Sequence, residues 1–426
     1  MAPRCFLTLI LSLSNGLVRS WLIFKLTSII PILAVVFSCP SGIIISALSQ
    51  GQQFHKGALP SIYSQTAHPQ KHQPRHCLGA VFCSIIKNMK FDVVSIGTAT
   101  FDVYLKGYQN LEVKKNGFGL QCFPLGAKIE TRNLEFSSGG GATNTAFTFA
   151  RQGLKTACVF EVGNDEFGKI ISQEQKKQKI SAFPKLDRKN PTAFSTILID
   201  NFGERTIFVH RGASGDLRAS EIPFSKIKTE WVYLVPGGIR LSELEKIMAR
   251  FKKTGAKIAV NLAKNQIQLG LKKLGKVLRF SDVLLLNQEE AAYLTGLPRQ
   301  QEKKIFQKLD KYVPGILVMT EGPKGLKVSD GKHVWRASIF KEKQVIDRSG
   351  AGDAFGSGFV AGLIQKKEQC QKGVCDVDKI SYAIRLGSAN ATSMVETLGV
   401  KTGILTRKEF LSQKRWKKLL IKVERI

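Results

Sequence analysis

Residues 347–362, D-R-S-G-A-G-D-A-F-G-S-G-F-V-A-G, have the types and spacing to bind a phosphate group and act on it. Apolar residues at helical spacing follow, so the pattern predicts that Gly350-Ala351-Gly352 lies at a helix N-terminus. Unpaired N–H groups and the helix dipole attract an anion there, and small residues let it approach the main chain. The carboxylate of Asp353 stands at the mouth of this site, where it can act as a base on the attacking group. The pattern therefore favours phosphoryl transfer.

A glycine-rich turn capped by an aspartate is the purely structural alternative, because short glycine motifs also occur by chance. Two other phosphate-binding patterns are excluded by spacing. The sequence contains no G-x-x-x-x-G-K-[ST] motif, and Gly350, Gly352, Gly356 and Gly358 do not follow the G-x-G-x-x-G pattern of dinucleotide-binding proteins.

The same segment resembles the C-terminal signature of the PfkB/ribokinase family of carbohydrate kinases, D-T-x-G-A-G-D-x-F. A second signature of that family, a Gly-Gly motif followed by Asn and a helix, is matched by Ser137–Leu154. The two motifs occur in the family's order, and the resemblance covers roughly Met89–Leu405. It implies an α/β fold, a ribokinase-like αβα sandwich with a mostly parallel central sheet, helices on both faces and a small β-sheet lid.

Residues 1–88 have a different composition from the rest of the chain, because they contain no Asp or Glu. Within them Leu26–Ser49 is uncharged for 24 residues, which is long enough to span a bilayer, although Pro31 and Pro40 disfavour a helix. A membrane anchor or signal, an organellar transit peptide and a segment absent from the natural protein are the alternatives. Since M-K-F-D-V-V-S-I-G places a start immediately before the first core strand, we expect a disordered or spurious extension over 1–88 and a kinase domain over 89–426.

Composition limits the partners of the chain. With 43% hydrophobic and 23% charged residues it is typical of a globular protein, and its net charge of +31 raises the possibility of a nucleic-acid ligand. The lysines are scattered among glutamates without a recognition motif, so we expect no nucleic-acid partner. The basic segment Arg407–Lys422 is predicted to be a solvated terminal helix. Cys122, Cys158, Cys370 and Cys375 do not suggest a disulfide framework, and reduced thiols suit a cytoplasmic location, with a membrane involved only if residues 1–88 are an anchor.

Alternating strand and helix patterns after residue 230 predict the parallel sheet. Strands are predicted near Trp231–Val235, Lys257–Val260, Asp282–Leu286 and Gly315–Met319. Helices are predicted at Ser242–Lys253, Gln288–Thr295, Glu302–Tyr312 and Ile380–Val395. Two segments with strand-like alternation and turn signals, about 111–136 and 180–209, are predicted to form the lid.

The resemblance also implies which residues contact the acceptor substrate. Asp102, shortly after the first strand, matches a family aspartate that binds sugar hydroxyls. Gly139, Gly140 and Gly141 would bring bare main chain against the substrate, and Asn144 would be a further ligand unless it only satisfies helix N-terminal groups. Arg211 is predicted to point into the lid side of the pocket.

Nucleotide and metal ligands are likewise implied by the resemblance. The nucleotide turn is matched at Thr320, Gly322 and Gly325, and Asn390 is expected on the adenine side. Asn287 and Glu290 match an N-x-x-E motif that organises Mg²⁺ through water, although a capping box explains the same residues. Asp347 and Ser349 match positions that help bind a monovalent cation such as K⁺.

The sequence thus predicts an ATP-dependent kinase that phosphorylates a hydroxyl of a small ribose- or fructose-like sugar, with Asp353 as general base and Gly350, Ala351 and Gly352 as the anion site. A nucleoside kinase of the same fold is the alternative within the class. A catalytically silent sugar- or nucleotide-binding relative is the alternative outside it. A homodimer formed through the lid is also expected from the resemblance.

Overall fold

The computed structural model describes the backbone of residues 9–14, 17–26, 32–39 and 42–49, and then residues 90–108, 111–115, 118–200, 205–366 and 375–425. The chain divides into two compact units, Met1–Arg75 and His76–Ile426. The predicted extension over 1–88 otherwise lies outside the described residues. In the first unit four strands pair antiparallel in chain order: β1 (Leu9–Ser14), β2 (Leu17–Leu26), β3 (Ile32–Cys39) and β4 (Gly42–Ser49). The interpretation of this segment as disordered or spurious stays a prediction.

The second unit is built on a ten-stranded sheet. Its strands are β5 (Lys90–Gly97), β10 (Thr156–Gly163), β11 (Ser181–Asp187), β14 (Lys228–Val235), β15 (Lys257–Asn261), β16 (Val283–Asn287), β17 (Ile316–Thr320), β18 (Leu326–Ser329), β19 (His333–Ala337) and β20 (Ile421–Arg425). They lie in the order β11-β10-β5-β14-β15-β16-β17-β18-β19-β20. The first seven pair in parallel and the last three join antiparallel. The predicted α/β class is confirmed.

Helices cover both faces of this sheet, as a parallel sheet requires. They are α1 (Gly141–Arg151), α2 (Glu166–Lys177), α3 (Leu241–Lys253), α4 (Lys264–Ile267), α5 (Gly270–Phe280), α6 (Gln288–Thr295), α7 (Glu302–Leu309), α8 (Ala351–Gln365), α9 (Cys375–Val395) and α10 (Arg407–Ser412). Strand β14 shows the two faces directly: Val232 and Leu234 belong to the core under α3 and α5–α7, whereas Trp231 and Tyr233 belong to the core under α8 and α9. Both sets of side chains are buried because successive residues point to opposite faces.

A second sheet of four strands forms the lid. Its strands are β6 (Thr100–Lys106), β9 (Asn133–Gly139), β12 (Phe194–Ile199) and β13 (Arg205–His210), in the order β13-β12-β6-β9. The hairpin of β7 (Leu111–Lys115) and β8 (Phe118–Cys122) is a separate two-stranded sheet. Only Thr98 and Ala99 separate β5 from β6, so the chain changes from the large sheet to the lid within two residues.

The predicted lid segments are therefore partly wrong. Strand β11 was assigned to the lid, but it pairs in parallel with β10 at the edge of the large sheet. The reason is that α2 connects these two strands as a crossover helix, which is the connection that parallel neighbours need. Strand β6 was not predicted as part of the lid, yet it is one of its two inner strands.

The C-terminal segment also differs from its prediction as a solvated helix. Helix α10 ends at Ser412, and the chain then buries Trp416 in an edge-to-face contact with Phe340, 5.1 Å between ring centroids. Strand β20 follows and pairs antiparallel with β19. The apolar side chains between the lysines favour this conformation. Burial of an aromatic ring stabilises the folded protein more than a solvated short basic helix would. In the part of the chain that the structure describes, no helix has the length and apolar character needed to cross a bilayer.

Candidate functional site

Gly350, Ala351 and Gly352 lie at the N-terminus of α8, where the sequence predicts a helix to begin, and the binding of an anion there stays a prediction. Gly350 precedes the helix with φ +73°, a left-handed conformation that favours glycine. Among the described residues, a Cβ built on Gly352 meets no atom within 4 Å, so the first turn faces open space. The main-chain hydrogen bonds around this turn are Ala351 N–H to Arg348 O at 3.4 Å and Ala354 N–H to Gly350 O at 2.8 Å. They leave the amides of Gly352 and Asp353 available to a ligand.

The carboxylate of Asp353 lies in the first turn of α8 and is partly exposed. Its Oδ2 accepts a hydrogen bond from Nδ2 of Asn144 at 3.0 Å. Removal from water raises the pKa of Asp353, and the hydrogen bond from Asn144 opposes that rise. The buried hydroxyl of Tyr233 lies beneath the same helix, and burial and the charge of Asp353 raise its pKa. A carboxyl group with a raised pKa that is held in one orientation suits a general base.

Asn144 has a second polar atom that points to a ligand. The residue lies in α1, is 6% exposed, and its Oδ1 has no hydrogen-bond partner among the described residues. A buried amide oxygen without a partner costs free energy, which a donor from a bound molecule would recover. Asn144 therefore holds the predicted base through Nδ2, while its Oδ1 can accept a hydrogen bond from a ligand.

The glycine run before α1 packs protein against protein. A Cβ on Gly139 would lie 1.8 Å from Oδ2 of Asp102, and one on Gly141 would lie 2.2 Å from the side chain of Val235. Gly140 has φ +91° and its Cβ would lie 2.6 Å from the main chain at Ala99. These contacts explain why glycine is needed at all three positions. Contact between their main chain and a substrate stays a prediction.

Asp102 lies on β6, on the inner strand of the lid rather than at a sheet edge, and is 6% exposed. It accepts a hydrogen bond from Thr100 Oγ1 at 2.9 Å and another from Ser195, its register partner on β12. Burial raises its pKa, these hydrogen bonds and the charge of Lys401 lower it, and the charge of Asp347 raises it. Asp102 on the lid therefore interacts electrostatically with Asp347, which lies just before α8, and with Lys401.

Lys401 is a buried charged residue whose charge acts on Asp102, and sequence reasoning did not identify it. It lies between α9 and α10, is 5% exposed, contacts Ser138 Oγ and has its Nζ 3.6 Å from Glu174 Oε2. In G-V-K-T-G it has no spacing or motif that distinguishes it from the other lysines. The tertiary fold alone identifies it.

The predicted nucleotide turn lines a cavity of about 330 Å³. Thr320, Gly322 and Gly325 form one wall, and Gly352 and Phe355 of α8 contribute another. The lining is mainly apolar, which suits a planar base, and the N-terminus of α8 opens into the same space. The structure thus brings the predicted nucleotide turn and the predicted anion site together.

Asn390 was predicted on the adenine side, but it does not line the cavity. It is fully buried, its Nδ2 donates to Ala354 O at 2.8 Å, and its Oδ1 accepts from Leu405 N–H at 3.0 Å. The neighbouring residues Ser388 and Thr392 line the cavity instead, because helical spacing turns Asn390 towards α8. Asn390 therefore joins α8, α9 and the C-terminal segment and does not line the cavity for a base.

Arg211 is not brought to the site by any described contact. It is exposed in the turn after β13, and its prediction as a pocket residue has no support in this position. Asp347 and Ser349 are buried, and Asp347 Oδ1 accepts from Ser349 N–H at 2.8 Å. The hydroxyl of Ser349 has no partner in the described part of the chain. A monovalent cation near these two residues stays a prediction.

Asn287 and Glu290 form the capping box at the start of α6. Asn287 Oδ1 accepts from Glu290 N–H at 2.8 Å, and Glu290 Oε2 accepts from Asn287 N–H at 2.8 Å. Burial raises the pKa of Glu290. The structural explanation is therefore correct. It does not conflict with a water-mediated Mg²⁺ role, because carboxylate oxygens accept more than one hydrogen bond.

Comparison with known proteins bears on this arrangement. A family model described as pfkB family carbohydrate kinase matches residues 90–407. The ribokinase of Haemophilus influenzae is 28% identical over 295 residues, which are 67% of this chain and 90% of that protein. A protein named probable fructokinase-6, chloroplastic, from Arabidopsis thaliana is 25% identical over 282 residues, which are 63% of this chain and 72% of that protein. The solved structure of Arabidopsis thaliana ribokinase complexed with ribose and ATP has a TM-score of 0.60 at 21% identity and covers 78% of this chain and all of that one.

Proposed function

Because this chain belongs to the PfkB family of carbohydrate kinases, we propose that it transfers the γ-phosphoryl group of ATP to a hydroxyl of a small ribose- or fructose-like sugar. As a member of this family, the protein is a phosphotransferase that acts on a hydroxyl group. The donor, the acceptor and the residue roles are the proposed part. The single observation that carries them is the Asp353 carboxylate, held by Asn144 beside the open amides of α8.

The proposed reaction uses Asp353 as the general base. The acceptor hydroxyl gives its proton to Asp353 as its oxygen attacks the γ-phosphorus, and the bond to the leaving oxygen of ADP breaks in line. The amides of Gly352 and Asp353, which the hydrogen bonds of the turn leave available, would stabilise the charge on the transferred group. Oδ1 of Asn144, which has no partner among the described residues, would accept a hydrogen bond from the acceptor. In this scheme Asp353 takes the proton, the amides stabilise the phosphoryl charge and Asn144 orients the acceptor.

ATP is proposed as the donor because the cavity suits it in two ways. Its apolar walls at Phe355 and Pro323 suit an adenine ring, and its open end at Gly352 lies at a helix N-terminus that suits phosphates. That the Arabidopsis thaliana ribokinase was solved with ribose and ATP supports the same donor.

Mg²⁺ is proposed with ATP, and the residues present fit it. Glu290 offers a partly buried carboxylate and Asn287 an amide oxygen, which are oxygen donors that suit water-mediated Mg²⁺ binding. When bound, the ion would neutralise charge on the phosphate oxygens. In the described ranges, no group of three or more His, Cys, Asp or Glu could hold a metal ion directly. A K⁺ requirement is proposed from Asp347 and the unpartnered hydroxyl of Ser349.

A nucleoside is the alternative acceptor, because it also presents a ribose. A catalytically silent binding protein is disfavoured, since Gly350–Asp353 and Asn144 keep an arrangement that binding alone does not need. We place the activity in the cytoplasm, in keeping with the free thiols of Cys122 and Cys158.

A homodimer through the lid is a further proposal. Phe136 and Phe208 are 63% and 60% exposed, and cross-strand pairing puts them in register with Val103 and Thr196 on the face opposite Asp102. Exposed large apolar side chains such as Phe136 and Phe208 can mark association surfaces. Sedimentation of the wild-type protein and of Phe136→Lys tests it: a dimer that the substitution dissociates is expected, and a wild-type monomer contradicts it.

ADP release tests the proposed function. The full chain is given ATP and Mg²⁺ with a panel of pentoses, hexoses, sugar acids and nucleosides, with and without K⁺. We expect release that depends on one class of sugar. Release with nucleosides alone would establish the alternative acceptor. The absence of acceptor-dependent release across the panel would contradict the proposal.

A further inference from the structure

Lys401 is one of the few fully enclosed charged side chains in the described part of the chain. It is 5% exposed, and its Nζ contacts Ser138 Oγ and lies 3.6 Å from Glu174 Oε2. The ring centroid of Phe147 is 5.8 Å from the same nitrogen. Lysine is almost never buried this far unless its charge is compensated. The position of Lys401 therefore requires a specific electrostatic reason.

The lid contributes groups that compensate the charge of Lys401. Strand β9 carries Ser138, which contacts Lys401, and the next residue, Gly139, approaches Asp102 so closely that a Cβ would lie 1.8 Å from Oδ2. Strands β6 and β9 pair antiparallel with Ser137 opposite Asp102. The ammonium of Lys401 thus lies against the strand that covers the Asp102 carboxylate.

Polar and charged groups from its own strand, from β12 and from the segment before α8 surround Asp102. Asp102 is faced by Thr100 and Tyr104 on its own strand, by Ser195 on β12, and by Asp347 before α8.

Lys401 is faced by Glu174 on α2 and by the Cys158 thiol on β10. Burial lowers the pKa of Lys401, while Glu174 and Asp102 raise it. Burial raises the pKa of Asp102 and the charge of Lys401 lowers it. Each buried charge therefore stabilises the other, and removing one leaves the other uncompensated.

We propose that Lys401 is a positioning residue for the acceptor substrate, because it keeps the buried Asp102 carboxylate charged and therefore able to accept hydrogen bonds from substrate hydroxyls. A charged carboxylate accepts such bonds more strongly than a protonated one. Without Lys401, Asp102 keeps only the hydroxyl donors of Thr100 and Ser195 in its buried position, so its protonated form becomes more stable relative to the charged form. The inference deepens the proposed function and rests on it for the substrate's identity.

A direct titration of Asp102 tests the electrostatic part. The side-chain carboxyl carbon of Asp102 is followed by NMR in protein labelled with ¹³C at aspartate, with Asp102→Asn used for assignment. In Lys401→Met we expect the midpoint to rise by about one pH unit or more, which is a tenfold fall in the ratio of charged to protonated carboxyl at a given pH. Lys401→Arg should return it towards the wild-type value. A midpoint in Lys401→Met equal to that of the wild type would overturn the proposal.

Two variants keep this experiment decisive. Lys401→Gln retains a hydrogen bond to Ser138 without the charge and replaces Lys401→Met if that variant does not fold. Lys252→Met removes a different partly buried lysine, one that pairs with Asp282 on the far side of the sheet, and should leave the Asp102 midpoint unchanged. A shift in Lys252→Met of the same size would mean that the effect is unspecific.

Kinetics test the functional part separately. We expect Lys401→Met to raise KM for the acceptor by up to about tenfold, more at pH 6 than at pH 8, because protonation of Asp102 increases as pH falls. KM for ATP should stay unchanged, because the proposed role of Asp102 is towards the acceptor alone. Equal losses in both KM values at both pH values would indicate a merely structural role and would overturn the proposal. If the wild type phosphorylated no acceptor, the proposed function would be wrong, whereas the Asp102 titration would still decide whether Lys401 holds that carboxylate charged.

Discussion

The side-chain amide of Asn144 donates a 3.0 Å hydrogen bond to the carboxylate of Asp353, although 209 residues separate the two in the sequence. Asn144 lies at the start of α1, directly after the chain returns from the lid, and Asp353 lies at the start of α8. The two helices pack side by side, so the hydrogen bond joins the predicted acceptor side of the site to the predicted phosphate side. Two family motifs that are distant in sequence are thus one structural unit.

This hydrogen bond makes a prediction about pH. It opposes the rise that burial produces in the pKa of Asp353, so Asn144→Ala should raise that pKa further. The base works in its ionised form, and activity is lost as pH falls through its pKa. The acid limb of kcat/KM should therefore move to higher pH, as measured in a pH–rate profile.

A second buried amide in the same helix region provides the control. Gln152 donates to Leu405 O at 2.7 Å, away from Asp353. Gln152→Ala should lower the free energy of unfolding without moving the acid limb. An unmoved limb in Asn144→Ala would show that the contact has no effect on the base.

Two glycines of α8 should respond oppositely to alanine. A Cβ on Gly352 meets open space, so Gly352→Ala should keep or raise stability and should raise KM for ATP, because the methyl group enters the phosphate position. A Cβ on Gly356 would lie 2.2 Å from the Tyr233 hydroxyl, so Gly356→Ala should destabilise by about 1–3 kcal/mol. Urea unfolding and ATP saturation kinetics measure both. If Gly352→Ala bound ATP normally, the anion site would lie elsewhere.

Glu161 is predicted to weaken the fold at neutral and higher pH. It is buried on β10, and burial together with the charges of Glu221, Asp187 and Asp216 raises its pKa to about 7, against the opposing effect of Lys185. A carboxyl whose pKa is higher in the folded than in the unfolded state stabilises below the unfolded pKa, and that stability is lost as pH rises through about 7.

Glu161→Gln should therefore be more stable than the wild type by on the order of 2 kcal/mol above pH 8, with the difference vanishing below pH 4. Denaturant unfolding across that pH range measures it. Glu243→Gln is the control with the opposite sign, since its hydrogen bond from Lys246 lowers the pKa of Glu243. A constant difference between Glu161→Gln and wild type at all pH values would contradict the assignment.

Trp416 tests the unexpected path of the C-terminus. It is 2% exposed and contacts Phe340, so Trp416→Ala should cost about 3–5 kcal/mol of unfolding free energy. Leu420 in the same segment is 67% exposed, and Leu420→Ala should change stability little. Similar values for the two variants would mean that the segment does not pack as described.

The parts of the fold that sequence predicted well are those that local patterns determine. Helix α6 begins at Gln288 and ends at Thr295 as predicted, because the Asn287–Glu290 capping box and Gly296 mark its two ends locally. Strands β14 to β17 agree with their predictions within a few residues, since apolar runs between turn signals define buried parallel strands.

The parts that sequence could not predict depend on contacts between distant segments. Whether β11 joins the lid or the large sheet is decided by its neighbour β10 and not by its own residues. Asn390 was expected on the adenine side of the nucleotide, but its amide forms hydrogen bonds with the main chain of Ala354 and Leu405. Lys401 carries no motif at all, and only the packing of the loop after α9 against β9 gives its charge a role.

The most direct test of the account is the rate of phosphoryl transfer in a single turnover of Asp353→Asn. This change keeps the size of the side chain and removes the base, so we expect the rate to fall by about 10²–10⁴-fold while ATP still binds. Asp310→Asn removes a carboxylate that accepts from Ser329 at 2.9 Å, remote from α8, and should transfer phosphate at the wild-type rate. A wild-type rate in Asp353→Asn would contradict the proposal that this carboxylate, held by Asn144 at the mouth of the anion site, takes the proton of the acceptor.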